Sequence, residues 1–186
     1  MLRIIKKIIV FILLVGATLC LAHFFRQYIH ETKILKEVVA RLEADSRVAQ
    51  VLVTAVVYNE KTGKKYTTIK FLEYDVKGKP LQPQYFTFAG NVIQFQSLVI
   101  RFNDLYIRRG DRLRGKSVYL FWKVFMLEGT HTQEYEISRV NEIPEGYKLK
   151  GATDPFETRL WSKFWRYALE PSEAEKMGIK NAQIEA

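Results

Sequence analysis

Changes in hydrophobic rhythm divide the chain. From Ile8 to Ala22 no residue carries a charge, and through Phe24 and Phe25 the apolar run extends to eighteen residues, broken only by His23. Eighteen helical residues rise about 27 Å, close to the roughly 30 Å hydrocarbon core of a bilayer. Lys7 and Arg26 are placed to snorkel outward at the two ends, and Tyr28 falls at headgroup level. The run reads as an uncleaved transmembrane anchor over 8–25, preceded by a cytoplasmic N-terminus over 1–7. A cleaved secretory signal is the rival expectation, because a cationic start, an apolar core and a small residue such as Ala22 before a cut follow that grammar too. Arg3, Lys6 and Lys7 crowd into seven residues, whereas Arg26, Lys33, Lys36 and Arg41 spread over sixteen. That bias places the N-terminus inside a cytoplasmic (inner) membrane and the main domain on its extracytoplasmic side, as a single-pass protein.

Over 26–50 the rhythm changes to a helical stripe free of Gly and Pro. Tyr28, Leu35, Leu42 and Ala49 recur at sevens, with Val38 and Val39 between them. The segment is expected to form a helical stalk, either a short coiled coil that self-associates or recruits a protein partner, or an amphipathic helix lying on its own domain.

At Val51 the period becomes two. VLVTAVVYNE reads as a strand, Asn59 to Gly63 as a turn, and KKYTTIKFLEYDV as the returning strand. A loop at VKGKPLQPQ, strands at YFTF and VIQFQSLVIRF, and a strand at SVYLFWKVFML follow. The last is apolar on both faces apart from Lys123, which marks a central strand covered on both sides. HTQEYEISRV closes the β region. The fold expected over 51–150 is mainly β: an antiparallel β-sandwich or small β-barrel with flanking helices. Over 151–186, DPFETRLWSKFWRYALEP predicts a C-terminal amphipathic helix capped by Asp154, with Pro155 in the first turn and Glu157 completing a capping box. IKNAQIEA looks like the start of an element without a partner, as in a truncated segment.

Composition narrows the classes. Apolar residues at 48% exclude wholesale disorder, and the one cysteine, Cys20, leaves no disulfide or thiolate cluster for the domain. The net charge is +9, of which the first seven residues supply three. The densest basic segment brings Arg108, Arg109, Arg112, Arg114 and Lys116 together with only Asp111 in opposition. It is a candidate site for an anionic lipid, an envelope polymer or an acidic partner, or else a solvated hairpin loop. The Arg109-Gly110-Asp111 tripeptide within it is too short to carry weight. Trp161, Phe164, Trp165 and Arg166 form either a membrane-interface helix or one that packs over a sheet.

Catalytic signatures are sparse. His131 with Glu134 and Glu136 amounts to half a metal site, and no nucleophile-elbow, zinc-protease or phosphate-loop spacing occurs. A carboxylate pair such as Asp104 and Asp111 needs no local motif and stays open. No catalytic residue, metal, cofactor or nucleic-acid partner is expected. The function expected is a membrane-anchored, non-enzymatic binding or scaffolding module of the cell envelope. The alternatives are a membrane-tethered hydrolase using carboxylates and a lipid-handling β-barrel module.

Overall fold

The computed structural model describes residues 2–42, 48–90, 92–103, 111–126 and 133–185. The chain separates into two compact units, Met1–Glu37 and Val38–Ala186.

Helix α1 (Leu2–Leu42) is unbroken through the apolar run and into the polar segment after it. Its best 18-residue window has a mean hydropathy of 2.6, so it is long and apolar enough to cross a membrane by length and composition. The side chains from Ile8 to Phe25 lie exposed. The helix is described as far as Leu42, and Val38, Val39 and Leu42 are buried. The seven-residue stripe therefore does not continue to Ala49 as expected, because Ala49 opens a strand.

That strand is β1 (Ala49–Asn59), followed by β2 (Lys64–Glu73) and β3 (Gln84–Ala89), in a three-stranded antiparallel sheet ordered β1-β2-β3. The β1–β2 turn is built by Asn59, whose side-chain oxygen accepts the N–H groups of Lys61 and Thr62, with Gly63 at φ 64°. Asp75 shapes the β2–β3 connection in the same way. Its carboxylate accepts N–H groups from Lys79 at 2.8 Å and Lys77 at 2.9 Å, and these bonds, Lys79's foremost, hold it below the usual carboxylate range.

The second antiparallel sheet contains β4 (Ile93–Phe102), β5 (Ser117–Met126), β6 (Gln133–Glu136) and β7 (Ile179–Glu185), ordered β6-β5-β4-β7. The segment expected to lack a partner is thus an edge strand, with Ile179 through Glu185 paired antiparallel to β4. The two sheets do not close, so the small-barrel expectation is corrected. With a long helix before the strands and two more helices between β6 and β7, the chain is mixed helix and strand rather than mainly β.

A register shift between Gln96 and Ser97 leaves Trp122 as an extra residue in β5. The bulge reverses side-chain parity along that strand. Phe121, Val124 and Met126 consequently pack with Ile69, Phe71, Phe86 and Phe88 of the first sheet. On the opposite face Leu98, Ile100, Val118 and Leu120 are buried. There Phe102 meets Phe164 of helix α2 (Pro155–Leu169) at 5.5 Å. The central-strand expectation holds for β5, which lies between β6 and β4.

Helix α2 begins where its capping residues place it. The Asp154 carboxylate accepts the Phe156 N–H at 2.7 Å, with Pro155 in the first turn. A one-turn 3₁₀ segment at Glu145–Tyr147 and the short helix α3 (Pro171–Lys176) complete the described elements. Tyr147 fastens the 3₁₀ segment to β5: its hydroxyl accepts the Tyr119 N–H at 3.1 Å and donates to the Tyr119 carbonyl at 3.2 Å.

Candidate functional site

The unusual surface of this molecule is strand β1. None of its eleven residues is charged, in a chain of net charge +9. Val51, Val53 and Val56 lie opposite Phe71, Ile69 and Thr67 of β2, all three of which are buried. Cross-strand partners share a face, so this valine row belongs to the inward face of the first sheet. Yet Val51, Val53 and Val56 are 44%, 55% and 54% exposed. Ala49 at the start of β1 packs against the core between the sheets, but from Val51 to Tyr58 the strand is exposed, so the apolar inner face extends beyond its cover.

The outer row is also apolar. Leu52, Ala55 and Val57 lie opposite Lys70, Thr68 and Tyr66. Thr54 is the extra residue of a bulge between Val53 and Ala55, and its hydroxyl donates to the Thr68 carbonyl at 3.2 Å. Because β1 ends the sheet, main-chain groups along its far edge face outward as well.

The other edges are protected. Along β3, the Ala89 N–H donates to Gln133 Oε1 at 2.8 Å, and the Tyr135 hydroxyl donates to the Thr87 carbonyl at 2.9 Å. Strand β6 has four residues, two of them glutamates, and β7 carries Lys180 and Glu185. Short strands, charges and capping side chains are the usual defences of a sheet edge. Among the described residues, β1 alone combines length, absence of charge and apolar exposure.

The sequence candidates are placed differently. Arg108 and Arg109 lie outside the described residues, as do Asp104 and His131. Arg112 is exposed at the turn before β5, whereas Arg114 and Lys116 are half-buried. That turn is fixed by its own bonds: Asp111 accepts the Leu113 N–H at 2.8 Å, and the Lys116 N–H donates to the Leu113 carbonyl at 2.9 Å. Trp161, Phe164 and Trp165 are fully buried, at 0%, 1% and 0% exposure, and Arg166 is exposed. Trp165 Nε1 donates to the Glu142 carbonyl at 2.7 Å. These three rings have no surface with which to enter a membrane interface; they pack within the fold.

Among the described residues no group of three or more His, Cys, Asp or Glu side chains is arranged to hold a metal ion. A groove of about 460 Å³ is lined in part by Glu73, Glu136, Glu142 and Glu145. Two of these acids are tied to neighbouring cations, Glu142 to Arg139 at 3.7 Å and Glu145 to Lys148. An apolar hollow of about 200 Å³ beside Phe102, Phe164 and Ile179 is smaller than the ~300–1,000 Å³ of usual ligand sites.

Glu157 is a buried acid, at 2% exposure. Burial pushes its carboxyl up from an ordinary value of 4.5, outweighing the Leu149 N–H it accepts at 3.3 Å and the attraction of Arg41; Asp154 adds repulsion. Its folded value therefore exceeds its unfolded one, so its contribution to stability is full below about pH 4.5 and is lost as pH rises through the raised value. Glu157→Gln keeps an acceptor for Leu149 without the charge. The variant is expected to be more stable at pH 7 by about 0.5–1 kcal/mol and to lose that advantage near pH 4. Urea denaturation at the two pH values measures it; equal differences at both would show that the charge is not the cause.

Compared with known proteins, the chain matches no family model, no curated protein and no solved structure.

Proposed function

We propose that the protein is a membrane-anchored, non-enzymatic binding or scaffolding module of the cell envelope. It presents its β domain on the extracytoplasmic side, with strand β1 as the working surface. The observation that supports this reading most strongly is the uncharged, two-faced apolar edge of β1. A protein strand laid along that edge gains main-chain hydrogen bonds, and side chains from both faces of β1 supply apolar contacts. Helix α1, with its apolar window, supports the anchor.

The basic turn has less support as the binding surface, since of its described cations only Arg112 is exposed. The hydrolase reading would draw on the groove beside Glu73 and Glu136, where Glu142 and Glu145 are ion-paired. The lipid-handling reading would draw on the small apolar hollow beside Phe102 and Phe164.

The test places one cation on each face of the strand. Full-length Val53→Lys/Val57→Lys protein is purified in mild detergent beside the wild type and a Tyr85→Lys control on β3. Proteins that co-purify in stoichiometric amount, a second copy included, are expected to fall at least tenfold in the β1 variant and to stay in the control. Recovery equal to wild type from a folded β1 variant refutes the reading.

A further inference from the structure

Resting on that reading, we infer that the occupant of the β1 edge is a second copy of this chain, paired antiparallel through its own β1 about a twofold axis. Charge is the first argument. Two copies of a chain of net charge +9 repel, and a self-complementary contact is most favourable where neither copy brings charge. Strand β1 offers eleven consecutive residues of that kind. An antiparallel twofold pairing sets each strand's outward N–H and C=O groups against the same set on the partner. It joins two three-stranded sheets into one continuous sheet and leaves no open edge at the join.

Area is the second argument. Val51, Leu52, Val53, Val56, Val57 and Tyr58 are each between 44% and 63% exposed. Together they present roughly 500 Å² of apolar surface, divided between the two faces of the strand. Edge pairing covers the partner-facing flank of each side chain and leaves both sheet faces open, so two copies would withdraw only part of the roughly 1,000 Å² they jointly present, a small contact by the standard of specific interfaces. The valine row supplies the apolar centre, and Gln50 and Asn59 the polar ends, which is the anatomy of an interface with a polar rim. Anchoring in one membrane also raises the local concentration of copies sharing one orientation, which favours a contact of modest area.

A photo-cross-linking amino acid placed singly at Leu52, Val53, Val56 and Val57 of the full-length chain, in its native membrane, tests the pairing. Tyr85, 60% exposed on β3, serves as the control position. The expected result is an adduct of twice the chain mass at two or more β1 positions and none at Tyr85. It should contain two differently tagged copies when both are expressed together, and fall at least fivefold when Val51→Lys is added. An adduct of any other mass at β1 overturns self-pairing and leaves strand addition to a different protein standing. No adduct at any β1 position overturns the self-pairing and the docking edge together.

Discussion

Trp161→Ala is expected to lower the stability of the body by about 3–5 kcal/mol, the usual cost of truncating a fully buried tryptophan. The ring is 0% exposed, with Tyr147 at 4.7 Å and Phe164 edge-on at 5.2 Å. Phe164 in turn meets Phe102 of β4, so Trp161 belongs to the aromatic chain that docks α2 on the second sheet. At roughly 2–4 °C per kcal/mol for a domain of this size, thermal unfolding should shift by about 8–15 °C. Trp161→Phe, which keeps a ring in the site, should recover more than half of the loss. A shift below about 3 °C for the alanine variant, followed by near-ultraviolet circular dichroism, would mean that the helix does not depend on this ring.

Phe71→Ala is the counterpart between the sheets, with an expected loss of about 3–5 kcal/mol. Phe71 is 2% exposed, stacked on Phe95 at 5.8 Å and edge-on to Phe121 at 5.4 Å. The loss should be non-additive with that of Phe95→Ala, by about 0.5–1.5 kcal/mol, because the two rings lose the same contact. Across the strand pair, Val51 is 44% exposed, and Val51→Ala should cost under about 1 kcal/mol. Chemical denaturation of all four variants measures both claims. Equal losses at Phe71 and Val51 would show that the cover extends to β1 and would remove the edge as a candidate surface.

Much of the architecture was legible where local chemistry decides conformation. Asn59 and Gly63 announce the first turn, Asp154 and Pro155 the start of α2, and the apolar run on both faces of β5 its central place. Pairing across long distances left no such mark. IKNAQIEA carries too little alternation to declare that it closes on β4. Whether sheets curl into a barrel depends on which edges meet, and no residue encodes that locally. The aromatic stripe of α2 had two readings because a membrane and a sheet both accept apolar rings; the fold buries three of the four residues named there. The candidate surface was missed for a related reason. VLVTAVVY is a good core strand by composition, and only the reach of the second sheet leaves it bare. The signal available was its complete lack of charge beside strands that carry lysine and glutamate.

The pairing of β7 with β4 also sets an order of assembly. The β1–β2–β3 meander closes over short loops, so it can form as soon as its residues are free to fold. Strand β4 instead meets, on one side, a strand about eighty residues later in the chain, and contacts that distant are slow because a long loop must close first. Until residues 179–185 arrive, β4 is itself an open edge with apolar neighbours. A chain made from its N-terminus onward therefore passes through a stage with β1 and β4 both uncovered, and among the described residues it is β4 that later gains a strand from its own sequence.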